Sequence, residues 1–61
     1  MRKWLIELRK GKCLTQQEVA DEIGVSRTAY AMYEQGQRNP AVKTAKKVGE
    51  FLYFDWTRFF E

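Results

Sequence analysis

The sequence predicts an all-α protein: one compact domain of five short helices. Three observations carry that expectation. Apolar residues recur every three or four positions, the period of a helix packed on one side. No stretch of about four to eight residues alternates apolar and polar side chains as a half-buried strand would. Capping residues and glycines fall where the periodic segments begin and end. The 61 residues suffice for a single domain, 1–61, and such a chain buries only about 60% of the surface it exposes when unfolded. Two Trp, three Tyr and four Phe partly offset that shortage of core.

The first helix is expected over residues 2–10, with Leu5 and Leu8 apolar beside Trp4 and Ile6, ending near Gly11. The second starts at Thr15. Thr15 and Glu18 form a capping box, in which the threonine hydroxyl accepts the amide three residues on and the glutamate reaches back to the threonine amide. Val19, Ala20 and Ile23 make its buried stripe, and Gly24 ends it, since a left-handed backbone there carries no steric cost for glycine. Ser26 caps a third helix running to Gln35 before Gly36. At about 100° per residue, Ser26, Ala29, Tyr30 and Tyr33 share one side of it. Arg27, Thr28, Ala31, Met32 and Gln35 fall on the other. After a turn at residues 36–40, Asn39 caps a fourth helix over residues 41–53, with Pro40 in its first position. Val42, Ala45, Val48, Phe51 and Leu52 keep its period. A short fifth helix follows Asp55 and buries Trp56, Phe59 and Phe60.

Charge and composition narrow the function. The net charge is +3, which favours an anionic partner. Residues 1–12 hold five basic side chains against one acidic, whereas residues 13–34 hold one basic against four acidic. With one cysteine, Cys13, and no histidine, neither an internal disulfide nor a Cys/His zinc site can form. Enzyme chemistry is disfavoured: a general base of the histidine type, a glycine-rich phosphate loop and an acidic metal cluster are all missing from the sequence. Asp21 and Glu22 are adjacent on a helix and so point apart. The apolar run Phe51-Leu52-Tyr53-Phe54 is far below the roughly 18 residues of a membrane span, and Glu7 interrupts any signal-peptide pattern. A cytoplasmic protein with no cofactor, metal or small-molecule ligand is the expectation.

Two helices joined by a tight glycine-containing turn cross at a steep angle, the geometry of a helix-turn-helix. Residues 16–35 resemble, without a gap, the twenty-residue signature of the phage Cro and repressor (XRE-like) helix-turn-helix family. Val19, Ala20, Ile23, Gly24, Val25, Tyr30 and Tyr33 carry that resemblance. The flanks match too: Leu8-Arg9, Leu14-Thr15-Gln16, Glu34-Gln35-Gly36, Arg38-Asn39-Pro40, and the ending from Asp55-Trp56 to Phe59-Phe60. The resemblance implies a lambda-repressor-like fold. In it Ala20 stays small beneath the third helix, Gly24 makes the turn and Val25 fills the angle, so that the third helix can enter a major groove about 12 Å wide.

The resemblance implies site residues as well. Base contacts fall to Arg27, Thr28, Ala31 and Met32. Arg27 is the strongest, because a guanidinium can bond guanine O6 and N7 together. Gln16 sits at the second helix's N-terminus, where outward amides favour a phosphate. Gln17, Ser26, Gln35, Gln37, Arg38 and Asn39 are the other backbone-contacting candidates; such contacts position a protein without reading sequence. Lys43, Lys46 and Lys47 read as a solvated basic face. Arg9 and Glu34 are implied to form a salt bridge tying the first helix to the end of the third.

The expected function is a sequence-specific regulator of transcription, a repressor binding a pseudo-palindromic double-stranded operator as a homodimer. Contacts between protomers would come from residues 36–40 and the aromatic Phe59 and Phe60. The alternative is a protein-interaction module of the same fold, an antitoxin or adaptor, because Thr28, Ala31 and Met32 are less polar than a strong base reader. Five positions depart from the family pattern, among them Trp4 and Ile6, which stand where polar residues are usual. Cys13 and Tyr53 stand at usual glycines, implying a strained loop and a shifted fifth helix. Ala45 replaces a common leucine, leaving space for Phe51, Tyr53 or Tyr33, and Trp4 is expected over Trp56 or Phe60.

Overall fold

The computed structural model describes all 61 residues and is built from helices alone: α1 (Lys3–Gly11), α2 (Gln16–Ile23), α3 (Arg27–Gln35), α4 (Val42–Leu52) and a terminal 3-10 helix, Trp56–Phe60. There are therefore four α-helices, not five. The last five-residue segment holds one tight turn, nucleated where the Asp55 carboxylate accepts the Thr57 amide at 3.0 Å and the Thr57 hydroxyl at 2.8 Å. That pair of bonds holds the Asp55 carboxyl below its ordinary pKa.

Leu5 of α1, Val19, Ala20 and Ile23 of α2, Tyr30 and Tyr33 of α3, Ala45, Val48 and Leu52 of α4, and Phe59 form one buried cluster. Trp4, Leu8, Leu14, Val25, Phe51, Phe54 and Trp56 close around it. Every helix thus contributes its apolar stripe, as the periodicity predicts. Val42 does not follow the stripe: it is 49% exposed in the first turn of α4. Trp4 packs edge-on against Phe54 and Phe59, with centroids 5.0 and 5.5 Å away. Trp56 and Phe60 instead pair with each other. Among the expected buried aromatics of the ending, only Phe59 is enclosed; Phe60 is 46% exposed and Trp56 half-buried.

The Thr15 capping box forms with both reciprocal bonds. At α4 the expected cap is displaced: Ala41, not Asn39, holds the N-cap position, and no side chain caps that helix. Pro40 therefore precedes the cap, buried, and the Asn39 side chain turns to the Arg2 guanidinium instead. Cys13 and Tyr53 keep the left-handed backbone that glycine would adopt, at φ +59° and +61°, so the chain retains the conformation and accepts the strain. Tyr53 is 80% exposed and does not fill the space beside Ala45. Gly49 has a different purpose. A Cβ there would lie 2.7 Å from the Phe54 carbonyl oxygen and 3.2 Å from the Trp56 Cβ, so its bare backbone lets the C-terminal turn fold onto α4.

Candidate nucleic-acid interface

What α3 presents is decided by the turn before it. The Gly24 and Val25 amides both donate to the Ala20 carbonyl, at 2.9 and 3.0 Å, closing α2. Gly24 takes φ +80° and ψ +32°. A Cβ at this glycine would meet nothing within 4 Å, so backbone conformation, not space, calls for it. Ala20 is fully buried and Val25 packs on the core. The helix is broken as expected, and α2 and α3 do not merge into one rod. Ser26 then opens α3, its Oγ accepting the Ala29 amide at 3.1 Å.

Tyr30 and Tyr33 anchor α3 in the core, ring edge to ring face with centroids 6.3 Å apart. Arg27, Thr28 and Gln35 are exposed. Ala31 and Met32 are half-buried rather than open. The short alanine and the flexible methionine are partly covered by their neighbours, so the freely accessible part of the expected base-facing surface narrows to Arg27 and Thr28.

The C-terminal end of α3 is held by a polar cluster. Arg9 Nε donates to Glu34 Oε2 at 2.6 Å and Arg9 Nη2 to Oε1 at 3.2 Å, while Arg9 Nη1 donates to the Leu14 carbonyl at 2.8 Å. Gln16 Nε2 adds a bond to Glu34 Oε1 at 2.9 Å. Glu34 is only 1% exposed. Burial alone would raise its pKa, but the hydrogen bonds from Arg9 and Gln16 outweigh that and hold the carboxyl below its ordinary range. The same pairing with Glu34 raises the Arg9 pKa. Burial, and then the neighbouring Glu34 carboxylate, push the Tyr30 phenol well above its ordinary value; its hydroxyl is enclosed without a well-aligned partner. One carboxylate therefore joins α1, α2 and α3.

The other expected backbone-contacting residues are distributed around this frame. Gln16 heads α2 and is half-buried, one of its amide hydrogens used on Glu34 and the other unspent. Gln17 is exposed and donates to Asp21 Oδ1 at 2.8 Å. Ser26 uses its oxygen as an acceptor and keeps its hydroxyl hydrogen. Gln35, Gln37, Arg38 and Asn39 are all exposed, at the end of α3 and in the turn beyond Gly36. Lys43, Lys46 and Lys47 are exposed along α4. No group of three or more Cys, Asp or Glu side chains converges as a metal site, and no helix is long and apolar enough to cross a membrane.

Arg2 was legible in the sequence only as a positive charge. Its guanidinium donates to the Tyr33 carbonyl at 2.6 Å, the Arg38 carbonyl at 3.2 Å, the Asn39 side-chain oxygen and the Phe59 carbonyl at 3.4 Å. Most of these acceptors are backbone atoms 31 to 57 residues away. No side-chain pattern could have announced them.

Residues 5–52 match the family model described as helix-turn-helix. The whole chain aligns at 52% identity with 80% of YqaF of Bacillus subtilis, whose name calls it an uncharacterized HTH-type transcriptional regulator. It is 40% identical over 45 residues, 74% of this chain, to the cryptic phage CTXphi transcriptional repressor RstR of Vibrio cholerae, and covers 40% of that protein. It is also 40% identical over 48 residues, 79% of this chain, to the HTH-type transcriptional activator BcrR of Enterococcus faecalis, covering 24% of it. No solved structure gives a significant match.

Proposed function

The chain belongs to the helix-turn-helix family of transcription regulators, and from that premise we propose that it represses transcription by occupying a pseudo-palindromic operator, bound as a dimer with α3 in the major groove. Residues 1–61 would act as one DNA-binding domain in the cytoplasm. The observation that carries this reading is the open start of α3, where Arg27 and Thr28 are exposed on a helix whose opposite face is fixed by Tyr30, Tyr33 and Glu34. Arg27 would read a guanine through two parallel bonds, and Thr28 would take a neighbouring base. Gln16, Gln17, Ser26, Gln35, Gln37, Arg38 and Asn39 would set register on the phosphates. Ala31 and Met32, with less open surface, would add apolar contact.

Repression rather than activation follows the name of RstR; the name of BcrR marks the other direction within the family. A dimer would place two copies of α3 in half-sites about one helical turn apart. Of the aromatic ending only Phe60 is open to join such a contact, because Phe59 belongs to the core.

Selection of bound duplexes from a random pool, at near-physiological salt, tests the proposal. The wild type should enrich a two-fold-symmetric motif, and Arg27→Ala should lose preference at one position of each half-site, by about 1–3 kcal/mol. No enriched motif with either protein would overturn the reading in favour of an interaction module, for which the modest polarity of Thr28, Ala31 and Met32 is the supporting observation.

A further inference from the structure

We propose that Arg2 is a positioning residue for DNA binding: it does not touch DNA but clamps the turn at residues 36–39, so that Arg38 and its neighbours meet the phosphates preformed. The inference rests on the function proposed above and concerns a residue outside the helix-turn-helix itself.

Four acceptors converge on one side chain. The Tyr33 carbonyl belongs to the last turn of α3, where it accepts the Gly36 amide at 3.3 Å and keeps a second lone pair for Arg2. The Arg38 carbonyl and the Asn39 side chain belong to the exposed turn that follows, and the Phe59 carbonyl to the C-terminal 3-10 helix. The Arg2 backbone amide also donates to the Glu34 carbonyl, at 2.7 Å, and the guanidinium carbon lies 5.3 Å from the Phe59 ring centroid. Arg2 is half-buried, and that burial lowers its pKa. With four acceptors around the guanidinium, few of its five N–H groups remain for a phosphate.

The turn needs such a clamp. From Gly36 to Asn39 every residue is exposed. Beyond Gly36, the Gln37 amide bond to the Met32 carbonyl is the one backbone hydrogen bond donated from residues 37–39. Without Arg2 the turn has few ties and spreads over arrangements in which Arg38 no longer reaches its phosphate, so that contact is lost from the complex. A lysine cannot replace it, because a single ammonium does not reproduce a planar fork that reaches several fixed acceptors.

The clamp predicts a particular signature in salt dependence. Each neutralised phosphate contributes about 0.9 to the slope of log affinity against log salt. Arg38→Ala should reduce that slope by about 1. Arg2→Met should reduce it by a similar amount, Arg2→Lys should not rescue it, and Arg2→Met with Arg38→Ala should reduce it no further. A double variant whose slope falls by about 2 would overturn the clamp, showing that Arg2 meets a phosphate itself. An unchanged slope in Arg2→Met would overturn it too, since a merely destabilised fold lowers affinity at every salt alike.

A second measurement needs no DNA. Trypsin should cleave after Arg38 faster in Arg2→Met than in the wild type, relative to cleavage after Arg27 or Lys47 in the same molecules. Equal relative rates would overturn the clamp whatever the DNA result. Faster cleavage together with a wild type that binds no selected duplex would refute the DNA-binding reading, and with it the role of Arg2 in binding.

Discussion

Replacing Cys13 by glycine should stabilise the protein. Cys13 sits at φ +59°, in a turn closed by its amide donating to the Lys10 carbonyl at 2.9 Å. An L-residue pays about 1–2 kcal/mol for the left-handed region. Glycine escapes that cost but loses more freedom on folding, which takes back about 0.5–1 kcal/mol. The Cys13 side chain is exposed and partnerless, so little packing is forfeited, and the net gain is about 0.5–1 kcal/mol. For a domain of this size that is about 2–8 °C in Tm. Cys13→Ala is the control, because it removes the thiol and leaves the backbone conformation unchanged. Urea and thermal unfolding under reducing conditions should therefore rank Cys13→Gly above both Cys13→Ala and the wild type. Tyr53, at φ +61°, makes the contrast: its ring carries the Lys12 ammonium 4.2 Å from the centroid. An exposed contact of that kind stabilises by about 0.5–1 kcal/mol, so Tyr53→Gly should come out near neutral. If Cys13→Gly were no more stable than Cys13→Ala, the loop would not be strained and the reasoning would fail.

Three further outcomes follow from packing and charge. Glu34 titrates below its ordinary range when folded, so the stability it contributes is complete above about pH 4.3, the unfolded value. That contribution drains away as pH falls through the depressed folded value; urea midpoints measured from pH 7 to 3 should show an acid limb that Glu34→Gln flattens. At pH 7, Glu34→Ala should cost about 3 kcal/mol, the low end for breaking a buried pair because Arg9 keeps its Leu14 carbonyl. Gly49→Ala should destabilise in spite of alanine's better helix propensity. The new methyl would collide with the Phe54 carbonyl oxygen at 2.7 Å, and calorimetry should show a net loss of about 1–2 kcal/mol.

The features legible in the sequence are those whose causes are local. The Thr15 capping box, the Ser26 cap, and the terminating Gly24 and Gly36 all rest on bonds or dihedrals within a few residues. Periodicity likewise located the core positions of α1 to α4 apart from the exposed Val42, and the family resemblance supplied the Arg9–Glu34 pair. The failures involve long-range contacts. Asn39 has the chemistry of an N-cap, but the Arg2 guanidinium is a stronger partner and Ala41 takes the position uncapped. Trp4 could satisfy several aromatic neighbours, and only the fold of the C-terminal turn selects Phe54 and Phe59. Gly49 looks like an ordinary weak point in a helix until the Phe54 carbonyl crosses it.

The two ends of α3 are held by opposite means, and this bears on the proposal that its N-terminal end would read DNA. At the C-terminal end two arginines from the start of the chain converge, Arg9 on the Glu34 carboxylate and Arg2 on the Tyr33 carbonyl. Cations near a helix C-terminus are favoured by its dipole, and there Arg2 adds a second donor to a carbonyl that already accepts the Gly36 amide at 3.3 Å. At the N-terminal end Arg27 occupies the first helical position, where the same dipole disfavours a cation by about 0.3–1 kcal/mol. A domain of 61 residues has a total stability on the order of 3–9 kcal/mol, so that penalty is appreciable. Arg27 has no hydrogen-bonded partner within the protein to offset it. A phosphate or a guanine edge would supply one, and the rigid far end would keep the arginine aimed at it. On this argument Arg27→Gln should raise the stability of the free protein slightly while weakening operator binding, two effects of opposite sign that one urea titration and one binding isotherm would separate; a variant that lost both would place Arg27 in the scaffold instead.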